Sequence, residues 1–340
     1  LLSRGLGDVY KRQPLVSVIV PNYNYAKYLP LRIETIIKQS FNDFELILLD
    51  DASSDDSVKI LRLYQEVDKR VSCVMVNDYN SGSPFKQWQK GIELARGKYI
   101  WIAESDDYAD FSFLAKTVSL MEQHPTAAYC FTGSYIVDEV GNMLDKDMDR
   151  WTKKQQNNLM KYKLFSGTNY AAKNLYWTNY VYNASGVLFR KSSSLKIFNT
   201  RWAAMRYCGD WWFWTFMALQ GDVIEVYERL NNFRQHSQSV TIDSKQDDEA
   251  YGACIKECID LTWTLENYLP LSIYKRLLCY GNYYKDIKRK NIRNEIKQNL
   301  LNELEERCYM IKTAYYLERV NKALSGVFPF LCRIKTERCC

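Results

Sequence analysis

The segment Leu15-Val-Ser-Val-Ile-Val20, closed by Pro21-Asn22, is a β-branched run of strand length bounded by turn residues. It reads as a buried strand. Working outward from it, a helical pattern covers Tyr28 to Gln39, with Leu29, Ile33, Ile36 and Ile37 on one face. Phe44 to Leu49 is a second strand, ending in Asp50-Asp51. Ser53 or Ser54 can cap the next helix, whose first turn would hold Asp55 and Asp56. Val71 to Val76 is a third strand. Phe85 to Ala95 is a helix with Gly97 near its C-cap. Tyr99 to Ala103 is a fourth strand, followed at once by Glu104-Ser105-Asp106-Asp107.

Strand and helix thus alternate four times between Leu15 and Asp107. Alternation of this kind predicts an α/β fold: a doubly wound, mostly parallel sheet with helices on both faces. Ligands of such sheets sit beyond the carboxyl ends of the strands, where Asn22, Asp50, Asp51, Asn80, Asp106 and Asp107 fall. Ala128 to Phe131, Gly186 to Arg190 and Val223 to Leu230 read as further strands. Asp145 to Lys163 reads as a loop with one short helix, and the pattern from Asp247 onward is helical. The expected organisation is a non-native or disordered extension over residues 1–13, an α/β domain over 14–240 and a helical region over 241–340.

Composition excludes several classes. No apolar run approaches the ~18 residues of a membrane span. From Tyr251 to the C-terminus there are 16 Lys and Arg against 10 Asp and Glu, which is the whole formal charge of +6. A nucleic-acid partner is not expected, since the main domain carries no basic excess. A basic tail with interleaved Tyr and Ile either lies on an anionic membrane surface or is the solvated face of a packed bundle. The ten cysteines show no CxxC spacing, although Cys254 and Cys258 lie one helical turn apart. With only two histidines, a Cys/His zinc site is not expected. Reduced thiols and a cytoplasmic location follow, with peripheral contact at the inner membrane face as the tail allows.

Asp106 and Asp107, two residues beyond Glu104, are hard oxygen ligands at close spacing, suited to Mg²⁺ or Mn²⁺ and hence to a diphosphate. They suit a helix N-terminus equally, since a helix begins shortly after Asp110. The turn after the first strand has no glycine, so neither a dinucleotide fingerprint nor a Walker loop is present.

Three stretches resemble the successive signatures of family 2 glycosyltransferases, whose fold is GT-A: Val16-Ser-Val-Ile-Val-Pro-Asn-Tyr-Asn24, Leu49-Asp-Asp-Ala-Ser-Ser-Asp55 and Gly97-Lys-Tyr-Ile-Trp-Ile-Ala-Glu-Ser-Asp-Asp107. Gly209-Asp-Trp-Trp-Phe-Trp214 is similar to the family's Glu-Asp motif, and Phe233-Arg-Gln-His236 to its Tyr-Arg-x-His motif. The resemblance implies that Asp51 accepts from a uracil-like base while Asp50 supports the loop. It implies that Pro21, Asn22 and Tyr23 flank base and ribose, with Glu104 and Ser105 close to the ribose. Asp106 would ligate the cation on the donor diphosphate, and His236 would complete that site or touch the diphosphate. Asp210 would be the catalytic base, or the N-cap of the helix Trp211 to Leu219.

Two departures from the family pattern stand out. Gln87-Trp-Gln-Lys-Gly91 replaces the usual Ala-Arg-Asn-x-Gly, leaving Lys86 or Lys90 as substitute cations, and Gly209 replaces the motif's Glu. The implied activity is inverting, single-step transfer of a sugar from a nucleotide-diphospho-sugar, UDP- or dTDP-linked, to a hydroxyl of a glycan or lipid-linked glycan in bacterial surface polysaccharide synthesis. The competing readings are a non-catalytic binding relative, which would have little need of Asp210, and a nucleotidyltransferase, which would want a glycine-rich basic loop after the first strand.

Overall fold

The structure, a computed structural model, describes residues 13–152, 160–236 and 247–327. Strands β1 (Val16–Asn22), β2 (Phe44–Asp50), β3 (Val71–Val76) and β4 (Tyr99–Ile102) pair in parallel, in the order β3-β2-β1-β4. Helices α1 (Leu29–Ile37), α2 (Ser57–Val67) and α3 (Pro84–Leu94) connect them. β5 (Tyr108–Ala109) and α4 (Phe113–Gln123) precede β6 (Ala127–Val137), β7 (Tyr162–Phe165), β8 (Val187–Arg190) and β9 (Asp222–Arg234). β8 runs antiparallel to β4 and β6, while β6 and β9 are parallel. β5 and β7 run antiparallel to β9. The expected α/β class with a mostly parallel sheet therefore holds, and the middle of the chain extends the sheet.

β1 and β2 are buried along their whole length, as strands covered on both faces must be. Their side chains alternate between two cores. Val16, Val18 and Val20 join α1, α2 and α4 on one face. Ile19, Ile47 and Leu49 join α3 and α5 (Gly209–Ala218) on the other. That second core continues without a break into the C-terminal helices α6 (Asp248–Leu265), α7 (Ile273–Arg289), α8 (Asn294–Arg307) and α9 (Ile311–Val327). The expected boundary at residue 240 lies outside the described residues, as do residues 1–12 of the expected extension. No helix among the described residues is long and apolar enough to cross a membrane.

Several local expectations change. Ser53 and Ser54 do not cap α2: their hydroxyls turn to Asp50 and Asn24, and the helix starts only at Ser57. Gly97 is not a left-handed C-cap. It is required because a Cβ there would sit 2.5 Å from the Ser17 backbone nitrogen on β1. Between Asp145 and Lys163 the described part includes the start of β7, an edge strand whose alternation is too weak to see in sequence.

The basic tail is a packed helical bundle. Tyr283, Tyr284 and Ile287 of α7, with Ile292 and Ile296 beyond it, are buried. Even Lys285 is inside, bonded to Glu318 of α9 at 2.7 Å. The Tyr and Ile residues interleaved with the basic ones are thus covered by protein, and Lys288 and Arg289 lie on the solvated face.

Candidate active site

The loops at the carboxyl ends of β1 and β2 are laced together. Asn24 and Ala52 adopt left-handed backbone, with φ of 56° and 63°. This brings the Asn24 N–H onto Ser53 Oγ at 2.8 Å and the Ser54 N–H onto Asn24 Oδ1 at 2.8 Å. Asp50, fully buried, accepts from Asn22 Nδ2, the Ser53 N–H and Ser53 Oγ. Pro21 lends its carbonyl to Ser105 Oγ at 2.6 Å, which ties the β1 turn to the acidic loop after β4. Tyr23 projects outward, half exposed.

Asp51 fixes the loop between β3 and α3. Its Oδ1 accepts from Asn77 Nδ2 (2.6 Å), the Ser81 N–H (3.0 Å) and Gln87 Nε2 (2.8 Å). Oδ2 accepts Ser81 Oγ at 2.7 Å. Gln87, which stands in the departed segment, thus has a structural partner. Lys86 and Lys90 are bonded to the Ser81 carbonyl and Asn77 Oδ1, so neither is aimed at the acids after β4.

The acidic loop itself is not a helix cap, because α4 begins later, after Ser112. Asp107 is buried and accepts from the Arg234 N–H (2.9 Å) and Asn183 Nδ2 (3.0 Å). Burial and the charge of Asp106 push its carboxyl up to about 6. Glu104 accepts from the Trp88 indole at 2.8 Å, and burial together with Asp106 pushes its carboxyl up to about 8. Asp106 meets His236, with Oδ2 and Nε2 2.9 Å apart. His236 is buried between the rings of Tyr25 and Tyr28, and its Nδ1 has no partner among the described residues.

Two arginines missed in the sequence surround these acids. Arg234 donates to the Asp106, Asp138 and Glu139 carbonyls and lies over Tyr28. Arg32 of α1 is wholly buried, its guanidinium 4.9 Å from the Trp101 ring and without a hydrogen-bond partner among the described residues. Burial lowers it to about 10, and Asp107, Glu104 and Asp106 hold it charged. A cluster of carboxylates is costly without positive charge, and here part of the compensation lies beneath the loop. The sequence could have flagged Arg32 as a charge on the apolar face of α1, although its meaning needed the sheet.

Asp106 and His236 fit a hard divalent cation. Adjacent ligands of an octahedral ion at 2.0–2.1 Å are about 3 Å apart, which is the separation found. An ion of this kind takes few protein ligands and completes its shell with phosphate oxygens and water.

Asp210 sits at the second position of α5, whose N-cap is Cys208, so it is not the cap. Oδ2 accepts from Asn179 Nδ2 at 2.7 Å and Oδ1 from the Trp211 N–H at 2.7 Å. Burial pushes the carboxyl up to about 6. Ser83 Oγ donates to the Met205 carbonyl at 3.0 Å, which places the loop before Asp210 against the loop after β3. Asp210 therefore shares the carboxyl end of the sheet with Asp51 and Asp106. Gly209 is also explained, because a Cβ there would stand 2.4 Å from the Phe85 ring and 2.6 Å from the Trp202 carbonyl. Gly209→Ala is expected to destabilise the fold by ~1–3 kcal/mol through overpacking, read as a lower denaturation midpoint with unchanged slope.

Known proteins resemble this chain in sequence and in fold. The chain is 34% identical over 134 residues to the Bacillus subtilis glycosyltransferase TuaG, named for teichuronic acid biosynthesis, covering 39% of this chain and 52% of that one. It is 27% identical over 233 residues to an uncharacterised glycosyltransferase of Haemophilus influenzae, covering 67% and 68%. The matched region spans about half the length of the first curated relatives, 52% and 46%. Among solved structures, Staphylococcus aureus TarS superposes with a TM-score of 0.64 at 16% identity, over 89% of this chain and 52% of that one. TarS 1–349 in complex with UDP-GlcNAc gives 0.63 at 15% identity, over 89% and 88%. The profile of Glycosyl transferase family 2 matches residues 17–198, more than half of the chain, and the protein belongs to that family.

Proposed function

We propose that the chain is an inverting, non-processive glycosyltransferase that moves a sugar from a nucleotide-diphospho-sugar to a hydroxyl of a glycan acceptor. The supporting observation is the Asp106–His236 pair, 2.9 Å apart, in the acidic loop that Ser105 ties to the β1 turn. The catalytic unit in this reading is residues 14 to about 240. Asp106 and His236 hold Mg²⁺ or Mn²⁺, whose chemistry, when bound, is to offset charge on the leaving diphosphate.

The chain's own groups do the rest. Asp51 Oδ2, which among the described residues accepts from Ser81 Oγ alone, takes the ring N–H of a uracil- or thymine-type base. Pro21, Asn22 and Tyr23 form the wall beside base and ribose, and Asp50 keeps that wall in place. Glu104, fixed by Trp88, reaches the ribose side of the donor. Asp210 takes the proton of the acceptor hydroxyl as its oxygen attacks the anomeric carbon and the bond to the diphosphate breaks. Attack from the face opposite the leaving group inverts that carbon. A carboxyl raised to about 6 is a stronger base than an exposed Asp and is still ionised at neutral pH.

The setting in this reading is bacterial surface polysaccharide synthesis. The names of relatives support it: TuaG is named for teichuronic acid biosynthesis, and a Staphylococcus aureus relative, 32% identical over 111 residues, is a poly(ribitol-phosphate) β-N-acetylglucosaminyltransferase. TarS structures with UDP and UDP-GlcNAc support a uridine-linked donor. A thermal-shift screen of nucleotide-sugars with and without Mn²⁺ tests the assignment. The true donor is expected to raise the melting temperature only with the cation, by mass action. No shift across UDP-, dTDP-, GDP- and CMP-sugars would remove the donor assignment.

A further inference from the structure

Three buried thiols that are remote in sequence meet behind the catalytic loop. Cys208 immediately precedes Gly209 and Asp210, while Cys254 and Cys258 lie one turn apart on the same face of α6. Their sulfurs all lie within 4.8 Å of one another, and those of Cys208 and Cys258 are 3.1 Å apart. All three residues are buried, and none is in a disulfide. Among the described residues, this is the place where three side chains able to ligate a metal converge. Between the two α6 thiols, Glu257 accepts the N–H groups of Arg206, Tyr207 and Cys208, each at 2.8 Å. The loop before Asp210 is thus already held on α6 when the sulfurs come together.

We propose that Cys208, Cys254 and Cys258 form a soft-cation site of zinc type that pins the catalytic loop to the C-terminal helices. Thiolates bind zinc at about 2.3 Å, which sets tetrahedral sulfurs about 3.8 Å apart. The observed separations reach that spacing by small side-chain movements. On binding, three S–H bonds break, three sulfur–metal bonds form and three protons leave to solvent, with no change of oxidation state; water takes the fourth corner. Two thiols would suffice for a disulfide. The third, on the same helix face, favours the metal. Thiolate softness also separates this site from the Asp106–His236 pair, whose hard oxygen donor suits Mg²⁺ or Mn²⁺. Metal at the thiol site would fix the approach of α5 and thereby the position of Asp210, so these cysteines are positioning residues.

The test uses the full chain purified without chelator or added metal. Elemental analysis is expected to find about one zinc per chain. Co²⁺ added to the metal-stripped protein is expected to give thiolate-to-cobalt charge-transfer absorption. Cys254→Ser should lose most of the metal, whereas Cys73→Ser, which changes a thiol on β3 outside the cluster, should retain it. Folded wild-type protein with under about a tenth of an equivalent of zinc and no charge-transfer band would overturn the proposal, and that result needs no variant. A Cys208–Cys258 disulfide in peptide maps of metal-free protein would overturn it too, as would full zinc retention in Cys254→Ser. None of these readouts depends on glycosyl transfer, so the site can fail while the enzyme assignment stands.

Discussion

Asp106→Asn is expected to abolish cation-dependent donor binding while leaving the fold intact. Among the described residues the Asp106 carboxylate has one partner within hydrogen-bond reach, His236 Nε2, so an isosteric amide disturbs little packing. Its loss as a ligand is a different matter. A neutral amide is a poor partner for a hard divalent ion, and changes even in the outer shell of a metal site cost 10–100-fold in affinity. Calorimetric titration of nucleoside diphosphate in Mn²⁺ should therefore weaken by at least about a hundredfold. Unchanged affinity in Asp106→Asn would remove Asp106 from the site. His236→Ala should weaken the same titration to a smaller degree, since it takes away the second proposed ligand and keeps the carboxylate.

Asp210→Asn is expected to do the reverse, with near-normal donor affinity and a turnover lower by ~10²–10⁴-fold, the usual contribution of a general base. Its pH dependence sharpens the expectation. The base works as the carboxylate, and burial has raised the carboxyl to about 6. Turnover of the unaltered enzyme should hold above that value and fall about tenfold per pH unit below it, as the carboxyl protonates. Asp210→Asn should lack that acidic limb. Wild-type turnover in the variant would leave Asp210 as a partner of Asn179 and place the base elsewhere.

The sheet was legible because its strands are continuous apolar runs with polar residues at one end. Period-2 alternation is suppressed when both faces are covered, and the run lengths of Val16–Asn22 and Phe44–Asp50 carry the signal instead. Short edge strands carry no such signal. Tyr108–Ala109 and Tyr162–Phe165 pair with β9 only because the rest of the fold brings them there.

The acids were legible in the same way, as polar residues in register at strand ends. What the chain does to stabilise them was not. Arg32 sits among apolar neighbours of α1, and Arg234 and Asn183 come from segments separated by many residues from Asp107. The caps were misread for a related reason. A serine after an aspartate can bond either to the helix ahead or to the carboxylate behind, and in the Asp50–Ser53 turn the carboxylate wins. In the tail, Tyr and Ile between lysines fit a membrane surface and a bundle alike. Tyr283 and Ile287 are buried in the bundle, which the spacing alone did not show. The cysteine convergence was only half visible in spacing: Cys254 and Cys258 lie one helical turn apart, but the third thiol comes from a segment remote in sequence, just before α5.

The most direct test is a crystal structure of the protein with a nucleotide-diphospho-sugar and Mn²⁺. The expected result is a cation bound about 2.0–2.2 Å from a carboxylate oxygen of Asp106 and from His236 Nε2. The base should lie in the loop of Asp50 and Asp51, with the anomeric carbon open to a hydroxyl within reach of Asp210. A diphosphate seated away from the β4 loop, or a cation that leaves Asp106 and His236 paired with each other, would contradict it.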